Sequence, residues 1–98
     1  QPGMVTSNEP GVYKGGSHGI RIENLTLVCK AGEGLYGEYL RFETVALWPI
    51  CKKGIIKELL TAEETDWLND YHRQVYEKLS PGLNEEEKIW LKEATAAI

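Results

Sequence analysis

The sequence predicts an α+β fold, with antiparallel β-strands first and two α-helices after them. Three observations carry this. Apolar residues recur with a period of 2 through the first half and near 3.6 through the second. Pro10-Gly11 and Gly15-Gly16 break the first half into short extended runs. Thr61 and Asn84 each stand just before acid-rich, helix-period stretches.

Met4–Asn8 reads as the first strand, closed by a type II turn at Pro10-Gly11, where proline sets φ and glycine accepts a positive value. Gly15-Gly16 marks a loop tip. Ile20–Lys30 reads as one continuous strand: Ile20, Ile22, Asn24, Thr26 and Val28 face one way, and Arg21, Glu23, Leu25, Leu27 and Cys29 the other. The run AGEGLYGE at 31–38 reads as a glycine-rich connection, and Leu40–Ile50 as a third strand ended by Pro49. Thr61 and Glu64 then form a capping box for a helix whose stripe is Trp67, Leu68, Tyr71, Val75 and Leu79. Ser80-Pro81-Gly82 stops it. Asn84 and three glutamates open a second helix with Ile89, Trp90, Leu91 and Ala94 on its apolar side.

At 98 residues the chain has the length of one domain or of part of one. A net charge of −4 argues against a nucleic-acid or anionic-membrane surface. The longest apolar runs, such as TVALWPI, are too short to span a bilayer. The first residues have neither the basic start nor the apolar core of a signal peptide, and an opening of Gln1-Pro2-Gly3 suggests a piece of a longer polypeptide. Cys29 and Cys51 read as two reduced, partly buried thiols. The Asn24-Leu25-Thr26 acceptor tripeptide is of a kind that chance supplies.

The carboxylates are the candidate chemistry. Arg21 and Glu23 share a strand face, and pairing of the first strand with Ile20–Lys30 brings Glu9 toward them. Two converging carboxylates are half of a site for a hard divalent cation, with Arg21 tuning them; solvated glutamates beside a turn have the same spacing. His18 and His72 read as surface or partly packed imidazoles, Trp67 and Trp90 as core or interface anchors, and Tyr13 as a packing or cleft residue. No serine has a partner for nucleophilic catalysis.

GMVTSNEPGVY followed by GIRIEN resembles the last two metal-ligand motifs of the pita-bread metallopeptidases. LRFETVALWPI, ELLTAEETDWLNDYHRQVYEKLSP and WLKEAT resemble the C-terminal extension of the long, three-domain Xaa-Pro aminopeptidases. The resemblance implies that residues 1–54 are the last strands of a pita-bread catalytic domain and 55–98 a helical extension. It implies a cytoplasmic enzyme with two divalent cations, manganese first and zinc or cobalt next, held by two Asp, one His and two Glu. Glu9 then binds one metal and helps deprotonate the attacking water, Glu23 bridges both, and Arg21 assists the proton network. The implied substrate is a peptide with proline in second position; the related prolidase dipeptidase activity is an alternative. The Asp pair and the ligand His have no counterpart in this chain, so the isolated chain is expected to bind metal weakly and to be inactive. A non-catalytic interaction module is the other reading. Strand edges severed from a larger sheet are expected to pair with the remainder of the parent or with a second copy.

Overall fold

The computed structural model describes residues 1–98 and has the α+β arrangement, five strands followed by two helices. The strands are β1 (Val5–Asn8), β2 (Gly11–Lys14), β3 (His18–Arg21), β4 (Asn24–Gly34) and β5 (Gly37–Thr44). The helices are α1 (Ala62–Leu79) and α2 (Glu85–Ala94). Two compact units result, Gln1–Ala46 and Leu47–Ile98.

In the first unit β1, β4 and β5 form one antiparallel sheet in that order, and β2 and β3 form a separate hairpin. The two pieces share one register. Pairs run without slippage from Val5↔Leu27 to Asn8↔Asn24, and again from Gly11↔Arg21 to Lys14↔His18. Continued across the gap, that register sets Glu9 opposite Glu23 and Pro10 opposite Ile22. The Ile22 amide donates to the Pro10 carbonyl at 3.2 Å, while Pro10 has no N–H to return.

The expected single strand Ile20–Lys30 is therefore two strands, interrupted at Ile22-Glu23 where the proline opposite removes a ladder bond. Pro10-Gly11 makes no turn; both residues lie in the extended ribbon. The reversal falls at Gly15-Gly16, where Ser17 N–H bonds the Lys14 carbonyl and Gly16 adopts φ 71°. The stretch 31–38 is not a loop either. β4 and β5 continue through it to a hairpin with Leu35-Tyr36 at its tip, and the register shifts between Lys30 and Gly32. Glycines there weaken the strand signal without preventing pairing. The third strand ends at Thr44, short of the expected Ile50.

The second unit opens with an extended segment held at alternate residues. Tyr71 Oη donates to the Trp48 carbonyl at 2.8 Å, Ile50 N–H donates to His72 Nε2 at 3.0 Å, and Lys52 Nζ donates to the Glu93 carbonyl at 2.7 Å. Those bonds, made to helices, take residues 47–52 away from the strand they resemble in sequence. Short 3₁₀ turns at Lys52–Gly54 and Lys57–Leu59 lead to α1. Thr61 caps α1 by accepting from Glu64 N–H at 3.1 Å. Asn84 and Glu87 close a complete capping box on α2.

The core is Tyr71, Val75 and Leu91, with Leu47, Ile50, Tyr76, Leu79 and Leu83 packed around it. Leu68 is buried as the stripe predicts, whereas Trp67, Ile89 and Trp90 are more than half exposed. Trp67 instead stacks on the Tyr71 ring at a centroid distance of 5.6 Å. His72 is fully buried, not at the surface, because it accepts from the amide of Ile50, the residue expected to end the third strand. Both thiols are free as expected; Cys29 is half-buried but Cys51 is exposed, since it starts a 3₁₀ turn rather than sitting in a strand.

Leu91 is 2% exposed and joins α2 to the α1 core. Leu91→Ala is expected to destabilise the second unit by about 2–5 kcal/mol, read as a lower urea midpoint for the loss of helical circular dichroism.

Candidate metal centre

Alternation along the ribbon puts Glu9, Gly11 and Tyr13 on the same face as Arg21, Glu23 and Leu25. Directly opposed carboxylates on one face repel each other. Arg21 answers one of them: its Nε lies 3.2 Å from Glu23 Oε2, and its Nη2 donates to Glu23 Oε1 at 3.4 Å. The fork thus engages both carboxylate oxygens, which orients Glu23 as well as neutralising it. Glu23 first, then the Tyr13 hydroxyl and Glu9, hold the Arg21 guanidinium above its already high ordinary pKa. It is a permanent cation at this site.

Tyr13 comes to Arg21 because two glycines let its ring lie flat on the hairpin. A Cβ built on Gly19 would meet Tyr13 Cδ1 at 2.6 Å, and one on Gly11 would meet the Tyr13 oxygen at 2.7 Å. Sequence reasoning left Tyr13 between packing and cleft. The signal was there: in the register, Gly19 is its cross-strand partner and Gly11 lies two residues before it.

The structure therefore brings Glu23, Arg21 and Tyr13 into contact and sets Glu9 across from Glu23. It does not bring in a histidine. His18 begins β3 at the far end of the hairpin, where its Nδ1 lies 2.8 Å from Ser17 Oγ. His72 belongs to the second unit. No group of three or more His, Cys, Asp and Glu side chains converges anywhere in the chain. The donor chemistry suits a hard divalent cation, as all-oxygen carboxylates do, but two side chains fill only part of a coordination sphere.

Comparison with known proteins agrees with both the ribbon and the helices. The family model described as the C-terminal region of peptidase_M24 matches residues 38–98, and that described as metallopeptidase family M24 matches residues 1–30. A probable Xaa-Pro aminopeptidase P of Tuber melanosporum is 46% identical over 99% of this chain and 16% of its own length. An uncharacterized peptidase of Schizosaccharomyces pombe is 43% identical over 100% of the chain and 17% of its own length. The crystal structure of X-prolyl aminopeptidase from Caenorhabditis elegans, a cytosolic enzyme with a di-nuclear active site, superposes with a TM-score of 0.86. It is 34% identical, covering 100% of this chain and 17% of that one.

A carboxylate-bearing ribbon and a helical unit of this kind are matched, one after the other, by models of M24 peptidases. More closely, the chain belongs to the family described as the C-terminal region of peptidase_M24. It spans about 16% of the length of the first curated relatives it matches.

Gly19→Ala is expected to push the Tyr13 ring off the hairpin and separate its hydroxyl from Arg21. The nuclear magnetic resonance signal of the Arg21 Nε–H should shift, with the strand amides of β4 and β5 unmoved; an unshifted signal would show that the glycine does not control this contact.

Proposed function

We propose that this chain supplies the closing carboxylates of a two-metal aminopeptidase that cleaves the bond between an N-terminal residue and a following proline. The observation that carries the proposal is the opposition of Glu9 and Glu23 on one ribbon face, within residues matched by metallopeptidase family M24. Relatives named Xaa-Pro aminopeptidase P and the di-nuclear site of the nematode enzyme supply the reaction class. In the parent protein Glu9 and Glu23 would hold the cations, with manganese first and zinc or cobalt as the other choices. When bound, the metal pair polarises the scissile carbonyl and activates water.

The chain's own groups have separable tasks. Arg21 balances the charge of Glu23 and fixes the plane of its carboxylate through two N–H donors. Glu9, which Arg21 does not fork, would help deprotonate the attacking water. The Tyr13 hydroxyl acts on the Arg21 guanidinium from the hairpin side. The strands of the first unit belong to a pita-bread catalytic domain, and the second unit is its helical extension. We set the join at Ala46/Leu47 rather than at 54/55, since residues 48, 50 and 52 are bonded to the helices. A cytosolic setting follows that of the nematode relative.

One observation favours an interaction role beside the catalytic one. Val5, Val12, Ile20 and Phe42 are each more than 60% exposed on short strands with open edges. In the parent this surface would meet the remainder of the chain, and in isolation a second copy of itself. Sedimentation of the isolated chain at high concentration should give dimers or larger species; a clean monomer removes this reading.

Glu23→Gln in the full-length parent is expected to lower bound metal and Xaa-Pro hydrolysis together. The loss should exceed the roughly 10–100-fold that follows removal of a mere partner of a metal ligand. Unchanged hydrolysis with unchanged metal content would defeat the proposal. The isolated chain, which lacks the other donors, should show no saturable manganese binding by calorimetry and no hydrolysis.

A further inference from the structure

The three attachments of the segment that opens the second unit differ in one respect. Trp48 is held by the Tyr71 hydroxyl, which donates to its carbonyl at 2.8 Å and accepts from its amide at 3.3 Å. Lys52 Nζ is held by the carbonyls of Glu93 at 2.7 Å and Ala96 at 3.2 Å. Neither attachment runs through an imidazole. Ile50 between them gives its amide proton to His72 Nε2 at 3.0 Å, and an imidazole nitrogen that accepts is the one an added proton must occupy. Since Nε2 accepts, the neutral ring carries its proton on Nδ1, which is buried with no hydrogen-bond partner in the protein.

The surroundings of the ring offer nothing to a second proton. His72 is 0% exposed. The opening segment contributes the Lys52 ammonium, a like charge; α1 contributes the Tyr71 ring at a centroid distance of 5.8 Å; α2 contributes the carbonyls that hold Lys52. No carboxylate is among the charges that bear on the imidazole.

We infer that His72 is a proton-operated latch for residues 48–52: the neutral ring holds the Ile50 amide, and protonation at Nε2 displaces that amide and sets an imidazolium against Lys52, releasing the segment from α1. Burial first, and the Lys52 charge second, push His72 below the usual imidazole range. The released state therefore takes the proton more readily than the latched one. The latch is at full strength above the ordinary imidazole value of about 6.5, weakens as pH falls through that value, and stops weakening below the depressed one.

Hydrogen exchange by mass spectrometry on the full-length parent tests this, following peptides across residues 47–53 from pH 7.5 to pH 5 with the intrinsic pH dependence of exchange divided out. Protection of these residues should fall by up to about tenfold per pH unit below the ordinary imidazole value, while the centre of α1 keeps its protection. His72→Gln, whose amide oxygen can accept from Ile50 and does not titrate, should hold protection constant across the range. Lys52→Met, which removes the like charge together with its own attachment, should lower protection at every pH but shrink the further loss between pH 7.5 and pH 5. Protection that is pH-independent in the wild type, or lost equally in His72→Gln, or lost with falling pH by as large a factor in Lys52→Met as in the wild type, would overturn the latch.

Discussion

The uninterrupted register of the ribbon is the constraint on which the rest of the first unit depends. From Val5↔Leu27 to Lys14↔His18 no residue slips, and so Glu9 and Glu23 are held opposite each other across the proline gap. Like charges in that position cost stability, on the order of 0.2–1 kcal/mol. Arg21 acts against this repulsion, but its pair with Glu23 is roughly half exposed and screened by solvent. A hairpin selected for stability alone would not place two glutamates there. Locally unfavourable residues held in a well-defined geometry are what functional sites retain.

Each unit owes its internal order to different forces. Leu47–Ile98 has a core of Tyr71, Val75 and Leu91, two capped helices, and an opening segment bonded at alternate residues. Gln1–Ala46 has no fully buried residue; its β-branched and aromatic side chains are packed on one side at most. Backbone pairing and cross-strand contacts are all that hold it, and a small sheet with both faces uncovered is marginal on its own. The geometry of the candidate site is thus written into a ribbon whose rigidity must come from whatever covers it.

This division explains what was legible in the sequence. The helices were readable because their signals are local: Thr61 and Asn84 cap, and Leu68, Tyr71 and Val75 repeat at helical spacing. The side-chain parity of the ribbon was readable too, since a break that preserves register preserves which residues share a face. What misled were residues whose role is set by a distant partner. Pro10-Gly11 has the chemistry of a turn, yet the strand opposite keeps it extended. Gly32, Gly34 and Gly37 weaken the strand pattern, yet β4 and β5 pair through them. Trp48 and Ile50 continue the alternation of β5, yet Tyr71 and His72 claim their backbone. His72 looked like an edge residue of α1 for the same reason: the segment that buries it lies more than twenty residues upstream.

The site itself was legible in its local half only. Glu9, Arg21 and Glu23 belong to one ribbon, so a register suffices to associate them; a coordination sphere needs donors that no register within these residues can supply. The face parity then limits where those donors come from. Val5, Ser7, Glu9, Gly11 and Tyr13 share a face with Arg21, Glu23, Leu25 and Leu27. Tyr13 and Arg21 close the hairpin end of that face, and Arg21 already takes both oxygens of Glu23 from that side. The other end of the face, toward Ser7 and Leu25, carries a small and an aliphatic side chain and no charge. The opposite face carries Thr6, Asn8, Asn24 and Thr26 and offers no charge to a metal. One strand alternation thereby fixes both which residues share the face of Glu9 and Glu23 and which end of that face stays open.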